Sequence, residues 1–389
     1  MAANDIRAAN RALAVVSVAV LLASSTWFSG TAAAPALARA WHLSPAASAW
    51  LTLSTQVGFI GGTFLYAATN LADVYNPRWV FFGSAVATAA CNAAFALVAD
   101  GLGSAVALRA ATGVALAGVY PVGMKIVASW FRTGLGWRLG VMVGALTLGT
   151  ATPYLLRAVG ADLGWRAPVA SSSVLAVAGG ALMVVAVRDG PHLRDRAPFD
   201  PRAMIDVFRD DAFRYTAIGY FGHMWELYAF WSLVGAYVAD AGVQAVPLVA
   251  FATVGVGALG CAAGGWLSRR VGERAVATWA LATSGIACAL SGVAHWLPAP
   301  VLVAFVLVWG VVVVADSPQF SALAARYCPP RYTGTALTVQ NGVGFAVTLV
   351  TIQLVPVLAG AVGWRWAFAP LAAGPAVGLW AMARLRAVS

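Results

Sequence analysis

Apolar residues fill long stretches of this chain, and short polar segments part them into twelve. A helix needs ~20 mostly apolar residues to cross a bilayer. The pattern predicts spans at about 12–36, 46–68, 78–98, 102–128, 138–159 and 167–187, then 212–238, 244–267, 274–294, 299–323, 334–358 and 366–385. Between the sixth and seventh lies a polar stretch, Arg188 to Arg214, rich in Arg, Asp and Pro. The first stretch follows Arg7 and Arg11 and ends in Ala-Ala-Ala-Pro-Ala, a build that a signal peptide shares. Its apolar run, Leu13 to Ala34, exceeds the usual ~7–15-residue signal core, and similar stretches follow. It is expected to be a retained first span.

Composition agrees with this pattern. The chain of 389 residues is 61% hydrophobic and only 10% charged, whereas soluble domains are roughly a quarter charged. An all-α membrane protein is expected, with the lipid bilayer as its solvent. The net charge of +10 does not point to nucleic acid, because the basic residues cluster in loops. With the N-terminus inside, nineteen of the 24 Lys and Arg fall on inner segments. Cytoplasmic termini and a cytoplasmic central loop follow. The four cysteines form no CxxC pair, so no disulfide framework, metal or cofactor is expected.

The chain also repeats itself. Gly164-Trp165-Arg166 before span six matches Gly363-Trp364-Arg365 before span twelve. Pro121 in span four matches Pro318 in span ten, and Trp27 in span one matches Trp225 in span seven. All three offsets lie between 197 and 199. The expected organisation is a six-helix bundle over 1–187, a cytoplasmic linker over 188–211 and a second bundle over 212–389. Parallel repeats of this kind place a substrate site at the midplane between the halves.

The loop after span two reads Asn70-Leu71-Ala72-Asp73-Val74-Tyr75-Asn76-Pro77-Arg78. It resembles the signature loop of the major facilitator superfamily, G-x-L-A-D-R-x-G-R-K, at Leu71, Ala72, Asp73 and Arg78. A second copy, Gly265 to Arg274, keeps Gly265, Leu267, Arg270, Gly272 and Arg274 but lacks the acid. In span four, Leu108-Arg109-Ala110-Ala111-Thr112-Gly113 resembles the family's l-x-x-R-x-x-q-G motif. The resemblance covers the whole chain. It implies twelve helices in two pseudo-symmetric bundles, alternating access, and a central cavity lined mainly by spans one, four, seven and ten. It assigns Asp73, Arg78, Arg270, Gly272 and Arg274 to cytoplasmic gating loops. Span five lacks the glycine-proline step of drug/proton antiporters, which weakens that particular reading.

Of fourteen acids, only Glu226 and Asp316 fall deep within apolar spans. A charge at mid-membrane costs ~2.5–3.5 kcal/mol on insertion scales, and such residues usually face an interior or a wet cavity. On span seven, Tyr220, His223, Glu226 and Phe230 share one helical stripe. The stripe is expected to face the space between the halves, with Phe221 and Trp225 turned towards helices or lipid. His223 and Glu226 either exchange protons there or satisfy each other and lock the helix. Asp316, beside Pro318, is a proton or substrate site or part of a stabilised kink. Arg109 is either structural or an aid to proton coupling. Lys125, the only lysine, either snorkels to the cytoplasmic surface or serves the site. Trp27, Gln56, Tyr120, Gln340 and Asn341 complete the candidate cavity.

The leading expectation is a secondary transporter of a small solute, driven by protons, acting as a monomer in the plasma membrane, the inner membrane of a bacterium. A membrane enzyme on lipid-linked substrates is the alternative, but no HExxH, GxSxG or Walker lysine loop is present. A transport-dead sensor keeps the same fold. The cations and acids of the candidate cavity nearly balance, so substrate charge and direction stay open.

Overall fold

The structure is a computed structural model and describes residues 3–69, 71–131, 135–193, 203–328 and 333–388. Every regular element among the described residues is helical. Among the described residues, ten helices are long and apolar enough to cross a membrane. At the two other predicted positions stand helices Pro45–Ala68, of 24 residues, and Asp211–Asp240, of 30 residues. Both have the length to cross but carry more polar residues, among them Gln56 in one and His223 and Glu226 in the other.

The chain divides into two compact units, Met1–His42 with Trp50–Pro198, and Leu43–Ala49 with Phe199–Ser389. Within each, the repeat seen in the sequence recurs as matching contacts. A Cβ on Gly113 would run into Thr55 O, and one on Gly62 into Val114 O. In the second unit Gly310 meets Thr253 O and Gly260 meets Val311 O in the same way. Each residue of one set lies 197 or 198 positions from its counterpart. Spans two and four, and spans eight and ten, thus touch backbone to backbone, which only glycine permits. The Gly-Trp-Arg corners match too. Arg166 Nε donates to Ala96 O at 2.9 Å, and Arg365 Nε donates to Gly292 O at 3.0 Å.

Helix breaks carry the repeat further. Span four is broken between Leu102–Leu116 and Tyr120–Trp130, and span ten between Ala299–Val312 and Ser317–Tyr327. Pro121 and Pro318 are each the second residue after the break, where the missing N–H costs nothing. Spans one and seven differ. Span one breaks at Ser25–Phe28, between Ala3–Ser24 and Ser29–Ala40. Ser25 Oγ and Thr26 Oγ1 bond back to Leu22 O and Ala23 O, competing with the helical ladder. Span seven has Gly222-His223-Met224-Trp225 at the matching place, with no hydroxyls, and runs unbroken. Trp27 and Trp225 therefore share a repeat position but not a local structure. Trp27 packs on Phe59 with ring centroids 4.7 Å apart, while Trp225 packs against Gly374.

Candidate functional site

Each unit encloses a buried polar cluster. In the first unit the break of span one turns backbone carbonyls aside, and Arg109 takes them. Its Nη1 donates to Thr26 O at 3.1 Å, Ser29 Oγ at 3.0 Å and Asn92 Oδ1 at 2.8 Å. Its Nη2 donates to Trp27 O. Asn92 in turn donates to Val169 O at 2.9 Å and Ser173 Oγ at 3.0 Å. Arg109 is wholly buried, and its Nε lies against Gly30, which has no Cβ to displace it. The guanidinium thereby bridges spans one, three and four. The position matching Arg109 in the second unit is Val306, and there the matching span seven is unbroken. The arginine and the break occur together and are absent together.

The second unit holds the ionisable residues of span seven. His223 Nδ1 lies 2.9 Å from Asp316 Oδ1, and both side chains are almost wholly buried, at 0% and 1% exposure. The pair has ion-pair distance, but its ring N–H lacks the alignment of a hydrogen bond. Asp316 sits in the break of span ten, immediately before Ser317–Tyr327. Tyr220 and Phe320 flank the imidazole, with ring centroids at 5.8 and 6.0 Å.

Glu226 takes a different direction. Its Oε1 accepts from Ser284 Oγ at 2.6 Å and its Oε2 from Cys288 Sγ at 3.1 Å. His223 and Glu226 therefore do not satisfy each other. Three residues of helix turn a side chain by 300°, so the two project about 60° apart. One reaches span ten and the other span nine. Phe230, the last of the stripe, stacks on Trp309 at 4.1 Å within the same unit. Phe221 and Trp225 lie off the stripe and are half-buried.

The remaining candidates are spread out. Gln56 and Gln340 are wholly buried, and neither amide has a hydrogen-bond partner. Tyr120 opens the second segment of span four, and Asn341 is half-buried beside Gln340. Lys125 Nζ donates to Ala72 O at 2.6 Å, tying span four to the loop after span two. It thus serves a helix end, far along span four from Arg109. In that loop Arg78 binds Asp189 at 2.8 Å and Val187 O at 2.7 Å. Asp73 lies on the short helix Leu71–Val74, and its side chain is outside the described ones. Arg270 stacks over Trp266 at 4.2 Å, and Arg274 begins span nine. Gly272 has φ of 86°, which glycine allows, whereas its counterpart Asn76 caps its helix by accepting from Arg78 N–H at 3.0 Å.

Sequence reasoning did not single out Ser284, Cys288, Asn92 or Asp189. A signal existed for three of them. Thr88 and Asn92 of span three match Ser284 and Cys288 of span nine at offset 196, so polar or thiol groups recur at one place in the repeat.

A polytopic helical protein with a twofold internal repeat and charges buried in its bundles has the build of a membrane transporter. The family profile of the Major Facilitator Superfamily matches residues 15–352, and the chain belongs to that superfamily. It is a multi-pass membrane protein of a transporter family. Comparison with curated proteins gave no match.

Proposed function

We propose that the chain is a secondary active transporter that moves a small solute by alternating access, with protons as the coupling ion. One observation carries the reading: His223, Asp316 and Glu226 form a buried ionisable group within one bundle. Burying such groups is costly, and retention at bilayer depth favours a proton-relay role. The His223–Asp316 pair spans seven and ten, and Pro318 marks the break where span ten can bend. Arg109 and Lys125 are engaged by their own bundle's backbone, which leaves the second bundle as the better place for proton exchange. Gln340, Asn341 and Tyr220 are candidates for solute contact in the second bundle, and Trp27, Gln56 and Tyr120 in the first. Asp73, Arg78, Arg270, Gly272 and Arg274 act at cytoplasmic helix ends as gating positions. Both termini lie in the cytoplasm, the membrane is a bacterial inner membrane, and the working unit is a monomer.

A thermal-shift screen of purified protein against metabolites and antibiotics, at two pH values, identifies a ligand. That ligand is then added to liposomes holding the whole protein and an internal pH dye. Wild type acidifies or alkalinises the lumen on ligand addition. Glu226→Gln and Asp316→Asn bind the ligand but lose proton movement, and His223→Ala changes its pH profile. Wild-type proton flux in both carboxylate variants would refute coupling at this group.

A further inference from the structure

Ser284 stands at a junction that neither the family motifs nor the stripe on span seven pointed to. Its Oγ lies 2.6 Å from Glu226 Oε1 and 3.3 Å from Leu281 O, on its own helix. A hydroxyl has one proton to donate and can accept as well. We propose that Ser284 is the positioning residue that lets Glu226 both hold and release a proton without losing a hydrogen bond. This inference rests on the proton-coupled reading above.

The proton count closes in both states. With Glu226 ionised, Ser284 O–H donates to Oε1 and Cys288 S–H donates to Oε2. When a proton arrives on Oε1, the new acid O–H donates to Ser284 Oγ. Ser284 then rotates its own proton to Leu281 O. Oε2 stays a carbonyl oxygen and keeps accepting from Cys288. Neither Glu226 oxygen nor the Ser284 hydroxyl is left unpaired in either state, and no heavy atom has to move. An apolar neighbour would leave one state with an orphaned buried group, a costly arrangement.

The titratable groups facing Glu226 are few. Cys288 comes from span nine and Asp316 from the break of span ten. His223 is one turn away on its own helix. The arginines of spans eight and twelve, Arg269, Arg270, Arg384 and Arg386, sit at or near helix ends. Trp309 of span ten also lies beside Glu226.

The test is infrared difference spectroscopy of the whole purified chain in lipid, between acid and alkaline buffer. A protonated-carboxyl band should be present in wild type and lost in Glu226→Gln. Ser284→Val should move that band to higher wavenumber, because the acid loses its acceptor. Ser284→Thr has the same shape plus the hydroxyl and should keep the band in place. Ser284→Ala serves if the valine variant fails to fold. A band unmoved in Ser284→Val, or in Ser284→Ala where it stands in, overturns the proposal. So does a threonine variant that behaves like valine, or a band that disappears in Asp316→Asn and persists in Glu226→Gln. Proton flux in liposomes separates the two readings. A serine-sensitive Glu226 band with wild-type coupling in Glu226→Gln sinks Glu226's coupling role and leaves the Ser284 inference standing. Lost coupling in Glu226→Gln with a serine-insensitive band does the reverse.

Discussion

Replacing Arg109 with alanine should unfold the first bundle more readily without touching ligand recognition directly. The guanidinium makes four hydrogen bonds, to Thr26 O, Trp27 O, Ser29 Oγ and Asn92 Oδ1. Two of these acceptors keep a donor when it leaves: Thr26 O still faces Ser29 N–H at 3.4 Å, and Asn92 Oδ1 still accepts from Ser29 Oγ at 2.7 Å. The loss falls mainly on Trp27 O, on Ser29 Oγ and on the space left behind. Hydrogen bonds to charged groups contribute ~1.5–3 kcal/mol each. Relief of the buried charge's desolvation offsets part of that. A net loss of about 2–4 kcal/mol follows from these opposing contributions. For a unit of this size, ~2–4 °C per kcal/mol gives a fall in Tm of about 4–16 °C. Thermal unfolding of detergent-purified variants at one scan rate reads it. Arg109→Lys should fall between, since an ammonium lacks the guanidinium fork. If Arg109→Met, apolar and unbranched, melts at or above wild type, burial of the charge outweighs its bonds and the staple argument fails. Unchanged Tm with lost ligand binding would place Arg109 in the solute site instead.

Gly30→Ala should mimic that loss, because its Cβ would sit 2.7 Å from Arg109 Nε and 3.1 Å from Leu51 O; a melting curve like wild type's would contradict the geometry. Gly113→Ala and Gly310→Ala should each abolish folded yield, since the added carbon meets the backbone of Thr55 or Thr253. Gly61→Ala, with nothing within 4 Å, should purify as wild type. Arg78→Ala and Asp189→Ala should each cost about 1 kcal/mol or less, as part-exposed pairs do, and their effects should not add; a strictly additive double variant in thermal melts would show that the 2.8 Å contact contributes nothing.

Much of this protein was legible in one dimension. Solvation acts on each stretch of chain independently, so runs of apolar residues announce helices whatever they later touch. Repetition is also linear, and Gly113 with Gly310, or Arg166 with Arg365, could be paired by offset before any contact was known. The prolines at 121 and 318 suit the first turn after a break, whereas Pro153 and Pro356 sit inside unbroken helices. What the sequence could not determine was direction. His223 and Glu226 share a stripe, yet 60° of helix rotation hands one to Asp316 and the other to Ser284 and Cys288. Which neighbour stands at each angle depends on how spans nine and ten pack, a property of no single segment. The break in span one was not anticipated from the sequence, and its consequence lies some eighty residues on, where Arg109 meets the freed carbonyls. Buried polar groups must find partners, and only the folded chain decides which ones come within reach.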